Sequence, residues 1–292
     1  MTTKGKYIEQ DWNKLNSQPP ALPCSPDLEA ALASCSGEQA FQESLARHSE
    51  YLPHLANHHH GVWFDWVLYK YPLPTGNVTD FAYLETTSAE NTIVLIEIED
   101  PSKRMWKGPP NKPAKSVEFN AAIEQVTRWR TDLKDPQKLS ALIADFKRML
   151  GASGKAANPW KVVYGLVYGR SSENITDEQK AAYSDLQDSL GIKLMTFDHL
   201  VTRHKNSAGR VKNVMSVSVP GPTFSYLYLN APPRSEFGYL TSGALKVGKE
   251  AREVIVSMGY DLDAWERGEP LSLNDKKPIG HISSIFPKQG TT

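Results

Sequence analysis

Asn91 to Asp100 reads NTIVLIEIED, and this stretch decides the fold. It begins as an unbroken apolar run, Ile93 to Ile96, and ends in Glu97-Ile98-Glu99-Asp100. A short apolar run of this kind reads as a strand buried on both faces. Side chains alternate along a strand, so Glu97 and Glu99 point the same way. Two carboxylates on one face at the end of a buried strand are costly to leave unpaired. Either the strand ends at the surface and water solvates both, or they serve a metal ion or proton chemistry.

The segment before it carries two more strands. Val62 to Tyr71 is aromatic and β-branched and is closed by Pro72 and Pro74. Gly76-Asn77 marks a turn into Val78 to Glu85, which carries Asp80 near its start. Three strands with short connections predict an antiparallel meander. Upstream, Gly37 to Leu52 reads as a helix ended by Pro53, with Phe41, Leu45, His48 and Leu52 near one stripe. Residues 1–36 are polar and proline-marked and read as an N-terminal arm with one short helix at Asp27 to Ala33.

Downstream, Pro101 to Pro113 (PSKRMWKGPPNKP) reads as a long basic loop. A helix from Ser116 to about Leu133 follows, with Phe119, Ala122, Ile123, Val126, Trp129 and Leu133 as its inner stripe. A second helix runs from Pro136 to Leu150, and a fourth strand from Trp160 to Tyr168. Thr176 caps a helix to Leu190, Gly191 stops it, and Ile192 to Phe197 is a short strand. The fold class is therefore α/β, with a mixed central sheet flanked by helices. The core is expected to span 37–205 and to end near His204, leaving a C-terminal extension at 206–292. In that extension Val211 to Val219 reads as a strand and Gly238 to Met258 as a helix.

The chain has 292 residues, 40% hydrophobic and 23% charged, with zero formal net charge. The composition is ordinary for a globular protein. A neutral balance gives no global argument for nucleic acid, so local charge must be read instead. Cys24 and Cys35 form no metal-like cluster, which fits a reducing compartment. The N-terminal stretch has no apolar core of a secretory signal, and no run approaches the ~20 apolar residues of a membrane span. These features predict a soluble, cytoplasmic protein that does not use a membrane.

Several motifs fail. Lys155 follows Gly154 without phosphate-loop spacing, and no GxGxxG or GxSxG occurs. His58-His59-His60 are neighbours on a loop and diverge, unlike ligands of a metal site. What remains is Asp80, Glu97-x-Glu99 and Gln125. If the second and third strands are neighbours, their acidic groups converge. Oxygen ligands of that kind suit Mg²⁺. Ala122 is small enough to let the helix approach the sheet, so Gln125 can reach a metal water or a phosphate.

An aspartate followed at a short interval by Glu-x-Lys is the pattern of PD-(D/E)XK nucleases, and the chain resembles the Shedu antiviral-defence nucleases within that superfamily. EQAFQESLARHSEYL (38–52) resembles the opening helix, TDFAYL (79–84) the strand with the metal aspartate, and VLIEIEDP (94–101) the Glu-x-Lys strand. FNAAIEQVTRWR (119–130) is similar to the glutamine-bearing helix; VYGLVYGR (163–170) and LMTFDHL (194–200) match two later segments. The pieces are ordered and cover about Glu38 to Val201. Glu99 departs from the pattern, because the family position is usually lysine; some restriction endonucleases carry glutamate there.

The resemblance implies a restriction-endonuclease-like core and a metal-dependent DNA endonuclease of anti-phage defence, using Mg²⁺ or Mn²⁺ on double-stranded DNA. It implies Asp80 and Glu97 as metal ligands, Glu99 as a further ligand or a group orienting the attacking water, and Glu38 as an additional carboxylate. It also implies a homo-oligomer. Lys103, Arg104, Lys107, Lys112, Lys115, Arg128 and Arg130 are candidates for phosphate contacts, each competing with a plain solvated role. Two other readings stay open: a degenerate nuclease fold that binds nucleic acid without cutting, and an assembly protein.

Overall fold

The computed structural model describes residues 8–9, 28–34, 37–55, 62–151, 154–206, 211–219, 221–231, 233, 236–258, 260–268 and 271–272. Cys24, Cys35, His58, His59 and His60 lie outside these residues, as does most of the expected N-terminal arm. The short helix expected in that arm is present as α1 (Leu28–Ser34).

The strand read first is β3 (Asn91–Ile98), buried along its whole length. It lies between β2 (Val78–Thr86), antiparallel, and β4 (Trp160–Val167), parallel. β1 (Trp66–Pro72) pairs antiparallel with β2, so the predicted meander is present. Parallel strands need a crossover. Between β3 and β4 it is supplied by α3 (Val117–Asp132) and α4 (Pro136–Lys147). The Ser116 hydroxyl caps α3 by accepting from the Phe119 N–H, and Asp135 caps α4 through the Gln137 N–H. α5 (Asp177–Ser189), capped by Thr176, carries the chain from β4 to the parallel β5 (Lys193–Met195).

Both sheet faces are covered. Phe119, Ala122, Ile123, Val126 and Trp129 of α3 pack with Ile93, Leu95 and Leu166 on one side. On the other, Phe41 and Leu45 of α2 (Glu38–Arg47) pack with Val94, Ile96 and Ile98, beside Phe197 and Leu200 of α6 (Phe197–Asn206). This mixed, helix-flanked sheet is the α/β class expected.

Several boundaries differ from expectation. The first strand is broken: Val62–Trp63 pairs with Thr86 and Glu85, then the register moves by two residues across Phe64 and Asp65 before β1 begins. The opening helix stops at Arg47, and a 3₁₀ turn, Ser49–Tyr51, takes its last expected turn. There the buried Ser49 hydroxyl donates to the Lys212 carbonyl at 2.6 Å, a partner 163 positions away. The long basic loop contains a small hairpin, Trp106–Lys107 against Ala114–Lys115. The expected strand through Phe197 ends at Met195, and α6 begins at Phe197. The signal for α6 was present: Phe197, Leu200 and Val201 recur at helical spacing after a threonine whose hydroxyl accepts the His199 N–H.

The sheet also continues past His204. β6 (Asn213–Ser218) pairs parallel with β1, and β7 (Thr223–Tyr228) and β8 (Leu245–Lys246) extend it, giving the order β8-β7-β6-β1-β2-β3-β4-β5. The helix expected over Gly238–Met258 is therefore two short pieces, α7 (Glu236–Tyr239) and α8 (Lys249–Ser257), either side of β8. Gly243 and Gly248 interrupt the helical periodicity there, and Gly248 is the N-cap of α8.

One position tests the packing between sheet and chain. A Cβ at Gly165 in β4 would meet Leu55 Cδ1 at 2.4 Å and Ile96 Cγ1 at 3.6 Å. Leu55 is itself buried, so it has little room to yield. Gly165→Ala is expected to lower stability by about 1–3 kcal/mol in denaturant titration. An unchanged midpoint would mean that Leu55 swings aside freely.

Candidate active site

β2 and β3 bring the acidic residues together by register. Phe81 faces Ile96 at the last paired position of the ladder, and Asp80 and Glu97 follow one residue beyond it on the two adjacent strands. Ile93 and Leu95 face α3, and alternation sends Glu97 and Glu99 the same way. Neither is solvated at a strand end: Asp80, Glu97 and Glu99 are 3%, 7% and 8% exposed. The reading in which water carries the cost is excluded.

Each carboxylate has a particular bracket. Gln125 of α3 reaches the site and donates to Glu97 Oε1 at 2.5 Å. Asp80 Oδ2 accepts the backbone N–H of Ile98 at 2.7 Å, and Oδ1 accepts from Lys70 Nζ at 2.5 Å. Glu99 Oε2 accepts from Lys103 Nζ at 2.5 Å, and the same ammonium donates to Glu38 Oε2 at 3.1 Å. Glu38 enters from the first turn of α2. One turn on, Gln42 donates to Glu38 Oε1 at 3.3 Å and to the Ile98 carbonyl at 2.7 Å, and accepts from Lys70 at 2.6 Å. Four carboxylates thus meet two ammonium groups and two amides.

The charge balance is unfavourable to the ionised acids. Burial raises the pKa of Asp80; the Lys70 ammonium and the Ile98 N–H pull it back only in part. Burial, followed by the negative charges of Asp80 and Glu99, pushes Glu97 up to about 10. Glu99 is raised by burial against the pull of Lys103. Glu97 Oε2 is also buried with no hydrogen-bond partner. An unpartnered buried carboxylate oxygen costs free energy that a bound cation would recover.

The donor set consists of oxygens, which suits a hard divalent ion, and Mg²⁺ needs only one or two protein carboxylates beside its waters. Asp80 and Glu97 are the two carboxylates of that kind on adjacent strands. Among the described residues no three or more Asp, Glu, His or Cys side chains are arranged so that they could hold a metal ion, and the lysine ammoniums occupy the positive place beside Asp80 and Glu99.

The basic candidates separate into groups. Lys103 is drawn into the acidic cluster. Arg104, Lys107, Lys112 and Arg128 are exposed, and Lys115 is half-buried. The hairpin that carries Lys107 and Lys115 is fixed by Met105 N–H to Glu173 and by Trp106 Nε1 to Asn174, both at 2.7 Å. Arg130 is turned elsewhere and donates to the Leu190 carbonyl at the end of α5. Sequence reasoning missed Lys70 and Gln42. Lys70 sits inside an aromatic strand as Tyr-Lys-Tyr, and the pattern does not show which way it turns.

A cleft of about 870 Å³ lined by His54, Tyr183, Thr196, His199 and Arg203 lies apart from this cluster, since none of Asp80, Glu97 or Glu99 lines it. Two later motifs meet nearby in the fold: Arg170, after β4, donates twice to Asp198 Oδ1, at 2.7 and 3.0 Å.

A family model described as Shedu protein SduA, C-terminal, matches residues 9–201. No curated protein matches the chain. The matched span runs through β5 into α6 and contains Glu38, Lys70, Asp80, Glu97, Glu99 and Gln125.

Proposed function

The chain belongs to the Shedu family, and from that premise we propose that it is a divalent-metal-dependent endonuclease of anti-phage defence that cuts double-stranded DNA. The sheet is read as a PD-(D/E)XK core. One observation carries the proposal: Asp80 and Glu97 converge from adjacent strands, both buried, with one Glu97 oxygen lacking any partner. A structural acid pair would have its lone pairs satisfied.

Hydrolysis forms a bond from a water oxygen to phosphorus and breaks one P–O ester bond. The water gives up a proton, and the leaving oxygen takes one. A Mg²⁺ or Mn²⁺ ion, when bound, supplies positive charge for the phosphate and a more acidic water. Asp80 and Glu97 would hold it. Gln125 fixes the Glu97 carboxylate through Oε1, leaving Oε2 without a partner. Glu99 accepts the water's proton, with Lys103 and Glu38 holding its other side. Arg104, Lys107, Lys112, Lys115 and Arg128 hold the DNA backbone, so binding weakens as salt rises. The same premise supports a homo-oligomer acting in the cytoplasm.

Glu99→Gln is expected to lower the cleavage rate by about 10²-fold, the usual scale for losing an acid–base group. Rates measured across a range of Mg²⁺ and Mn²⁺ concentrations check this, and a rate equal to the parent at every concentration removes the role. The proposal itself is tested by cleavage of supercoiled and linear DNA with Mg²⁺ or Mn²⁺, beside a DNA-binding measurement. Binding without cleavage would make the protein a nucleic-acid binder, a reading that Glu99 in place of lysine favours.

A further inference from the structure

Lys70 has φ 51°, the one non-glycine residue with positive φ among those described. A side chain there is strained, and such strain persists only where the surroundings impose it. The consequence is visible in β1. Trp66 and Leu68 face the α3 side of the sheet, Val67 the other, and Tyr71 and Leu73 face the α3 side again. The alternation therefore slips by one residue at Lys70. Lys70 falls opposite Asp80, between the paired positions Tyr69↔Phe81 and Tyr71↔Thr79.

The register sets Lys70 beside Asp80, and its ammonium donates to Asp80 Oδ1 at 2.5 Å and to the Gln42 side-chain oxygen at 2.6 Å. Gln42 is 1% exposed and anchored to the Ile98 carbonyl, so this bracket is rigid. The Lys70 side chain is 41% exposed while that of Asp80 is 4% exposed. The ammonium thus stands on the solvent side of the aspartate, where a phosphate would arrive.

We infer that Lys70 supplies the positive charge that the Glu97-x-Glu99 segment lacks: it occupies the cation's place at Asp80, yields it to a divalent ion, and then contacts the phosphate being cut. This rests on the nuclease reading above. A glutamate at 99 cannot neutralise a phosphate, whereas a lysine can. Lys103 is the competing source of charge, but it is shared by Glu99 and Glu38.

The test uses Lys70→Gly, Lys70→Arg and Lys103→Met in the full chain. Glycine accepts positive φ without strain but leaves the buried Asp80 Oδ1 and the Gln42 oxygen without their donor, so the two effects oppose and Lys70→Gly should stay folded, with a melt beside the parent's to check it. Two readouts follow. Mn²⁺ alone, titrated into DNA-free protein, should bind Lys70→Gly at least about fivefold more tightly, since the competing ammonium is gone. Cleavage of plasmid DNA at saturating Mn²⁺ should fall at least about 10²-fold, the scale of losing one transition-state contact, with partial recovery in Lys70→Arg.

If Lys70→Gly cleaves like the parent, whether or not Lys103→Met loses activity, the assignment to Lys70 is overturned and the nuclease reading stands. Unchanged Mn²⁺ affinity overturns the exchange at Asp80. If the parent cleaves no nucleic acid with any metal, the nuclease reading fails and takes the phosphate role with it, while the Mn²⁺ titration still decides the exchange.

Discussion

Replacing Asp80 by asparagine should end metal-dependent cleavage and leave the fold intact. Asparagine keeps an oxygen for the Ile98 N–H, which Asp80 Oδ2 now accepts at 2.7 Å. What it loses is the charge, which burial already disfavours, and the acceptor for Lys70, whose 41% exposed side chain can turn to water. The melting temperature should therefore stay close to the parent's. Alanine is a poorer probe, because it strands the Ile98 N–H and the Lys70 ammonium, at about 1–3 kcal/mol for an unmet buried partner. For cleavage, a lost ligand removes several kcal/mol of charge stabilisation, or about 10³-fold or more in rate. Plasmid cleavage with Mg²⁺ or Mn²⁺ beside a thermal melt reads both effects. Asp80→Asn cutting DNA normally would show that Asp80 is no ligand; Asp80→Asn failing to fold would show that it is structural.

The second large effect belongs to Glu97 and needs no DNA. In metal-free protein, stability should fall as pH rises from about 5 to about 9, given an unfolded glutamate near 4.3. The direction follows from proton counts. Folded Glu97 holds its proton up to about 10, while the unfolded chain has given its proton up far lower. Between those values the folded state binds more protons, so stability decreases with each rise in pH. It is fully present below the unfolded value and is lost on the way to the folded one. Asp80 and Glu99 are raised as well and act in the same sense. The partly exposed Lys70 and Lys103 let water reach the cluster, which holds the total to about 1–3 kcal/mol.

A divalent ion should reverse this trend, because binding ionised carboxylates releases their protons. Glu97→Gln should flatten the pH slope, stabilise the metal-free protein at pH 8, and lower cleavage by about 10³-fold, as for Asp80. The variant retains an oxygen for Gln125, so its fold should hold. Denaturant titrations from pH 5 to 9, with and without Mn²⁺, provide the check. A parent whose stability is flat across that range would mean Glu97 is ionised without metal.

Among the described residues no helix is long and apolar enough to cross a membrane. The expectation of a buried acid-bearing strand end proved legible because it needs only local facts. An apolar run fixes β3 in the interior, and a period of two fixes where Glu97 and Glu99 point. The inner stripe of α3 was legible for the same reason, and with it Gln125, one helical turn from Ala122 and Trp129. Short turns between β1, β2 and β3 made their antiparallel pairing readable, and so the meeting of Asp80 with Glu97.

The rest of the site depends on partners far apart in the chain. Nothing local in Tyr69-Lys70-Tyr71 shows the slip in alternation, because it arises from packing Leu68 and Tyr71 onto the same core while Gln42 and Asp80 hold the ammonium. Glu38 joins only because α2 packs across β3 through Phe41 and Leu45. The end of α2 is set by Ser49 bonding to Lys212, and the continuation of the sheet by β6 lying along β1. A periodic pattern states which face of an element is buried but not which element covers it. The sequence by itself therefore determined the strand, its acids and the helix that faces them. The tertiary structure decided which cations balance those acids, since charges pair by distance in space and burial sets how much each pairing matters.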